Sequence, residues 1–190
     1  MFAGHFGVAV AVKAKSPEVP LWALMLSTQL LDVIFVPLFL FGEETIVPVA
    51  GNGYGGSMIH AEYSHSLIGS LVISLFSGLL AARFLGRRGG LVIGSVVFSH
   101  WLLDLLVHRP DLPIFPGNVG NLPLLGFGLW NFPIFSIIAE SILISLGIIF
   151  YFRSIVSGTK GKNRVWAISA GAILSVLLVL SLFTDVLGAA

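Results

Sequence analysis

The chain consists of long apolar segments, each about the length of a membrane-spanning helix, separated by shorter polar segments. A helix needs about 20 mainly apolar residues to span a bilayer. Phe2 to Val12 is too short to cross and predicts a half-embedded helix. The pattern therefore predicts an all-α integral membrane helix bundle. Its five predicted spans are Val19–Phe41, Ser64–Phe84, Leu91–Val107, Gly128–Phe152 and Val165–Leu187.

Composition supports lipid as the surrounding solvent. Hydrophobic residues make up 56% of the 190 positions and charged residues 10%, whereas soluble domains have about 45–50% and about 25%. A chain of this length predicts one domain, residues 1–190, with no separate water-soluble catalytic unit. Any chemistry is therefore expected inside the bundle or at its edge.

The basic residues predict the orientation, because cytoplasmic loops carry an excess of Lys and Arg. Nine of the ten lie before the first span, between the second and third, or between the fourth and fifth, and Arg109 alone falls on the other side. We expect a multi-pass protein of the plasma (inner) membrane with its N-terminus on the cytoplasmic side and its C-terminus outside. The two outer loops, 42–63 and 108–127, are rich in Gly, Pro and Asn and predict irregular structure that can form a lid.

The net charge of +1 and the lack of a basic run with interleaved aromatic residues exclude nucleic acid as a predicted partner. The expected partners are the bilayer and a lipid or membrane-proximal substrate, and the sequence leaves the oligomeric state open. The chain has no cysteine. Metal ligands must therefore supply nitrogen or oxygen.

Ionisable side chains inside the predicted spans are the strongest functional signal, because a charge at the centre of a membrane helix costs about 2.5–3.5 kcal/mol. Asp32, His100, Asp104 and Glu140 lie within spans, and His65 begins the second. His100, Asp104 and the following His108 are spaced i, i+4 and i+8 and share one helix face. At 1.5 Å per residue, His100 and Asp104 lie about 6 Å apart along the axis, which suits two side chains converging on one ion.

Depth and charge extend this set. Counting residues from the basic side places Asp32, His100 and Glu140 near mid-depth, together with His5 of the first segment. Acidic groups with no Lys or Arg at the same depth leave negative charge that a divalent cation can balance. Imidazole and carboxylate ligands favour zinc, with manganese or iron as alternatives, and the number of ligands suits one or two ions. The predicted metal ligands are His5, Asp32, His65, His100, Asp104 and Glu140.

Other roles stay open at this point. Asp104 or Glu140, when not a ligand, can act as general base. His108 can be a ligand, a group behind the ligands or part of the substrate site. Arg109 can bind an anionic head group or pair with Asp111. Each buried polar residue can instead serve only to form a hydrogen bond between helices, which contributes about 0.6 kcal/mol on average.

Four segments carry a family resemblance: GHFGVAVAVK at the start, QLLD in the first span, EYSHSL opening the second and FSHWLLDLLVHRPDLPIFPG in the third. The chain resembles the YdjM-like family of membrane-bound proteins described as metal-dependent hydrolases, which is distantly similar to zinc-dependent phospholipase C. The resemblance covers about residues 4–145 and leaves a C-terminal span at about 165–187. It implies that His5, Asp32, His65, His100 and Asp104 are ligands, with Glu140 a weaker candidate. The chain departs from the family in having LLDVIF for a D-x-D-H cluster and HAEYSHS for H-R-G-x-T-H-S.

The expected function is hydrolysis of a phosphoester or similar bond by metal-activated water. Two alternatives remain. The buried carboxylates and histidines can relay protons or bind an ion in a transporter, although no internal repeat is visible. The metal can also be structural, in which case its coordination is closed, whereas a catalytic site keeps an open position.

Overall fold

The computed structural model describes residues 2–49, 56–158 and 160–187, and it is the all-α helix bundle that the sequence predicts. A single small sheet accompanies the helices within these ranges. In chain order the elements are α1 (Phe2–Lys15), α2 (Leu21–Thr28), α3 (Leu30–Leu40), β1 (Thr45–Pro48), β2 (Ser57–His60), α4 (Leu67–Val107), α5 (Pro133–Gly158) and α6 (Gly161–Leu187).

Three helices, α4, α5 and α6, are long and apolar enough to cross a membrane, and α2 with α3 makes a fourth span when the bent pair is taken as one. Their outer surfaces carry large apolar side chains, such as Leu75, Phe76 and Phe84, which are 65%, 68% and 81% exposed. Side chains of this kind are stable on a surface that faces lipid.

Helix α4 is a hairpin of two spans. Gly86 has φ +71° and ψ 172° inside it, a backbone conformation that glycine adopts without steric cost. A Cβ on Gly78 would lie 3.3 Å from the Cα of Gly94, although a straight helix would separate these residues by about 24 Å. The arms 67–85 and 87–107 therefore fold back on each other, and each is about 30 Å long. The number of crossings thus reaches the predicted five.

Helix α1 lies inside the bundle and packs along α5. A Cβ on Gly7 would lie 2.8 Å from the carbonyl oxygen of Leu143, so only glycine allows this approach. Gly4 meets Glu140 three residues before that contact on both helices, and the two helices therefore run parallel. This packing extends α1 to Lys15, three residues beyond the predicted end.

The basic segments gather at one end of the bundle. Arg88, beside the turn of α4, pairs with Glu18 after α1 at 3.3 Å. Because α1 and α5 run parallel, Lys13 lies at the same end as Arg153. The grouping predicted from the sequence is therefore present in the fold.

Two departures from the predicted spans have local reasons. The first span breaks at Gln29 into α2 and α3, which are bent by 48°. The fourth begins at Pro133 and not at Gly128, because Gly128 adopts φ +72° and the next residues form a short 3-10 turn.

The first outer loop is not wholly irregular, which corrects the prediction. Its β1 and β2 strands pair antiparallel, with Thr45 opposite His60 and Pro48 opposite Ser57. The β-branched residues of TIVP suit a strand. The glycine-rich stretch that the sequence analysis interprets as a flexible loop falls mostly on residues 50–55, outside the described residues.

Candidate metal centre

Five of the six predicted ligands meet at one place inside the bundle. His5 comes from α1, Asp32 from α3, His65 from the turn before α4, and His100 and Asp104 from the second arm of α4. Two sets of three have donor atoms that all lie within 4.8 Å of one another: His5, His100 and Asp104, and Asp32, His65 and His100. This buried cluster can hold a metal ion.

The break between α2 and α3 shapes one side of the centre. In an unbroken helix the Thr28 carbonyl would accept a hydrogen bond from the amide of Asp32. Here the Thr28 carbonyl accepts from Nδ1 of His100. The bend thus orients the His100 ring and turns Asp32 towards it.

The Ser-His-Ser motif has three separate tasks. Ser66 caps α4 by accepting a hydrogen bond from the amide of Gly69 at 3.1 Å. The carbonyl of His65 accepts from Nε1 of Trp101 at 2.8 Å, which holds the turn against the second arm. Ser64 contacts the His65 ring at Nδ1, 2.8 Å away. The motif therefore starts a helix and fixes the orientation of its central imidazole.

Nε2 of His65 and Nε2 of His100 lie close to each other and to two carboxylate oxygens. Nε2 of His65 lies 3.3 Å from Nε2 of His100. Oδ1 of Asp32 lies 3.4 Å and 3.5 Å from these nitrogens, and Oδ2 of Asp104 lies 3.5 Å and 3.0 Å from them. Ligands at about 2.0–2.1 Å from a tetrahedral zinc lie about 3.3–3.4 Å apart. The five distances, 3.0–3.5 Å, are close to this figure, while Asp32 and Asp104 belong to separate sets of clustered donors.

Hydrogen bonds behind the two imidazoles determine which nitrogens carry protons. A carbonyl only accepts, so His100 must donate Nδ1–H to Thr28. Ser64 gives its single hydroxyl hydrogen to Glu44, at 2.9 Å and 3.0 Å from the two carboxylate oxygens, and therefore accepts from Nδ1–H of His65. In the neutral rings both Nε2 atoms then carry lone pairs and face carboxylate oxygens. Such a set of converging acceptors is stabilised by a cation.

Glu44 is a functional residue that sequence reasoning missed. It is 1% exposed, and its Oε1 accepts from the amides of Tyr63 and Ser64, both at 2.8 Å. The preceding Glu43 is exposed. The sequence places both in the same polar outer loop, and only folding across 20 positions separates their roles.

His5 lies beside the four-donor set. Its Nε2 is 3.1 Å from Oδ1 of Asp104, and its ring stacks on His100 with centroids 3.9 Å apart. Its Nδ1 is buried and has no hydrogen-bond partner. Asp104 thus presents one oxygen to His65 and His100 and the other to His5.

His108 and Arg109 lie on the outer side of the centre. His108 contacts Asp111 through Nδ1 at 2.9 Å, and its Nε2 lies 3.9 Å from Oδ1 of Asp104. Its ring packs against that of Trp130, with ring centroids 4.3 Å apart. Arg109 donates from Nη1 to the carbonyl of Ser57 at 3.2 Å. Their predicted part in substrate binding stays a prediction.

Glu140 is fully buried, and its Oε1 accepts from the amide of Gly4 at 2.8 Å. The first amides of a helix have no partner within the helix, so this carboxylate anchors the turn of α1 that carries His5. Glu140 belongs to neither set of clustered donors. Its role as a ligand stays a prediction.

The clustered His and Asp side chains line a cavity of about 260 Å³ whose walls are partly polar and partly apolar. No Lys or Arg of the described residues lines it. Two carboxylates therefore face four imidazoles without a permanent positive charge, and Glu140, the third carboxylate of the predicted layer, does not line the cavity. The apolar walls come from Phe2, Phe35, Ile59 and Trp130.

Comparison with protein-family models, with curated proteins and with solved structures finds no match.

Proposed function

We propose that the chain is a membrane-bound metal-dependent hydrolase that holds zinc with Asp32, His65, His100 and Asp104. The observation that carries the proposal is that Nε2 of His65 and Nε2 of His100 each lie 3.0–3.5 Å from a carboxylate oxygen of Asp32 and of Asp104, with both imidazole Nδ1 atoms donating elsewhere. His5 beside the second oxygen of Asp104 offers part of a site for a second ion.

A divalent metal bound here supplies Lewis acidity and lowers the pKa of water. The reaction adds water to a phosphoester and breaks its P–O bond, and the departing alcohol takes a proton. His5 and Asp104, 3.1 Å apart, can accept and return that proton. Asp104 is a ligand in this proposal and Glu140 holds α1, so His5 takes the role of general base, with its Nε2 beside Oδ1 of Asp104.

The substrate group lies towards the outer side in this proposal, where His108 and Trp130 close the cavity. Arg109, the one basic residue of the outer loops, attracts the negative charge of a phosphoester there. The basic end of the bundle faces the cytoplasm of a cell whose plasma (inner) membrane holds the protein, and α6 ends outside. The resemblance to the YdjM-like family supports both the metal and the hydrolase activity.

A structural metal is the second candidate, and one observation favours it. Four protein donors fill a tetrahedral zinc, whereas catalytic zinc usually has three protein ligands and an open position. Asp32 distinguishes the two candidates. Its side chain is 41% exposed, so it is the donor that can yield its place to water.

The test is metal analysis combined with a hydrolysis screen. We expect purified wild-type protein to contain zinc and to cleave phosphodiesters, first bis(p-nitrophenyl) phosphate and then phospholipids. His100→Ala should lower metal affinity at least about tenfold, because even the loss of a group that hydrogen-bonds a ligand lowers metal affinity 10–100-fold. Glu43→Gln is the matched surface control. Wild-type protein that neither retains nor takes up zinc would rule out the metal, and tightly bound zinc without hydrolysis would favour the structural candidate.

A further inference from the structure

Among the described residues that line the cavity of the metal centre, the most exposed lie on one side. Among its lining residues, Phe2 is 47% exposed and the Asp32 side chain 41%. Phe2 begins α1 and Asp32 lies on the first turn of α3, and Gln29 links the two by donating to the carbonyl of Phe2 at 3.4 Å. The mouth therefore lies between α1 and α3.

The outer side is covered by the β1–β2 hairpin. Ile59 of β2 lines the cavity and packs against Val107 and Trp130. Its amide donates to Asp111 at 3.2 Å, and the same carboxylate contacts His108. These bonds tie the hairpin to the end of α4 and place it over the outer side of the centre.

The mouth lies at the depth of the lipid chains. Asp32 is eight residues before the end of α3 at Leu40, which is about 12 Å at 1.5 Å per residue. His100 is about 10 Å before the end of α4 and about 21 Å after its turn at Gly86. Next to the mouth, Val33 and Val36 are 49% and 52% exposed on the surface of α3. The opening thus lies in an apolar surface, nearer the outer ends of the helices.

We propose that the cavity opens sideways into the bilayer and that its substrate is a phospholipid of the outer leaflet. The identity of the substrate rests on the proposed function, whereas the sideways opening rests on the exposure of the mouth alone. Phe2 and Phe35 border the lipid chains, and the phosphodiester reaches Asp32 and His100. Water adds at phosphorus, the P–O ester bond breaks, and the released alcohol takes the proton.

The opening can be tested without activity, because the chain contains no cysteine and a nitroxide label attaches only where one is introduced. Labels at Phe35→Cys, Val36→Cys and Glu43→Cys in vesicles report collisions with oxygen, which enters lipid, and with a charged nickel chelate, which does not. We expect the oxygen-to-nickel ratio at position 35 to match position 36 and to exceed position 43 at least about tenfold, since charges are excluded from hydrocarbon. A ratio at position 35 equal to that at position 43 would place the mouth in water and overturn the proposal.

Hydrolysis tests the substrate. Phosphatidylglycerol vesicles and glycerophosphoglycerol, which has the same head group without acyl chains, are supplied at equal phosphodiester concentration. The vesicle lipid should react at least about tenfold faster, because its acyl chains hold the head group in the bilayer beside the mouth and so raise its effective concentration there. Equal or faster cleavage of the chain-free compound would overturn the lipid substrate. Cleavage of neither by protein with bound zinc would overturn the proposed function and the substrate with it, and the label result would still decide the opening.

Discussion

Replacing Glu44 with Gln should weaken zinc binding without touching a ligand. Oε1 of Glu44 accepts two amide hydrogens, so the Gln oxygen must take that position and its NH₂ must face Ser64. An NH₂ group donates, and Ser64 Oγ must then accept from it. The hydroxyl hydrogen then has two acceptors, the Gln oxygen at 3.0 Å and Nδ1 of His65 at 2.8 Å. When it turns to Nδ1, the imidazole proton moves to Nε2. The nitrogen that faces His100 and Asp32 becomes a donor and cannot bind a metal.

The size of the effect follows from comparable changes to groups that hydrogen-bond a metal ligand, which lower metal affinity 10–100-fold. This corresponds to about 1.4–2.7 kcal/mol. The measurement is a competition titration of zinc against a chromophoric chelator in detergent, with thermal unfolding as a check on the fold. Glu43→Gln removes the same charge from the exposed neighbour and should leave the affinity unchanged.

A second variant isolates the hydroxyl relay. Ser64→Ala removes the group that transmits the change, so Glu44→Gln should cost much less affinity in the Ser64→Ala background than in the wild type. Wild-type zinc affinity in a folded Glu44→Gln single variant would refute the reasoning. So would two fully additive losses, since residues that act through one relay are expected to couple.

Two further outcomes are expected. Glu140→Gln should keep zinc affinity within about twofold, because the amide oxygen of Gln still accepts from Gly4. The free energy of unfolding should fall by about 0.3–1 kcal/mol, because the negative charge at the start of α1 is lost. A tenfold loss of zinc affinity would make Glu140 a ligand. Cysteines at Arg87 and Asn118 should react with impermeant reagents from the cytoplasmic and outer sides, respectively, and the reverse pattern would invert the orientation. The same labelling at Asn52 tests a position outside the described residues.

Helix content and the main residues of the candidate metal centre were predictable because their signals are local. Twenty apolar residues in a row have few structural options in lipid. Likewise, the i, i+4 spacing of His100 and Asp104 places both on one helix face whatever the rest of the chain does. The cost of an ionisable group in a span likewise marked Asp32 as a candidate before any contact was known.

Tertiary structure decided what depends on distant segments. Glu43 and Glu44 are equivalent in sequence, and only the packing of the outer loop onto Ser64 buries one of them. Glu140 lies in the predicted layer of polar groups, yet the parallel packing of α1 on α5 directs its Oε1 to the amide of Gly4. The sideways mouth depends on the bend at Gln29 and on the hairpin above His108. Local spacing cannot contain such information, because each contact joins residues that are far apart along the chain.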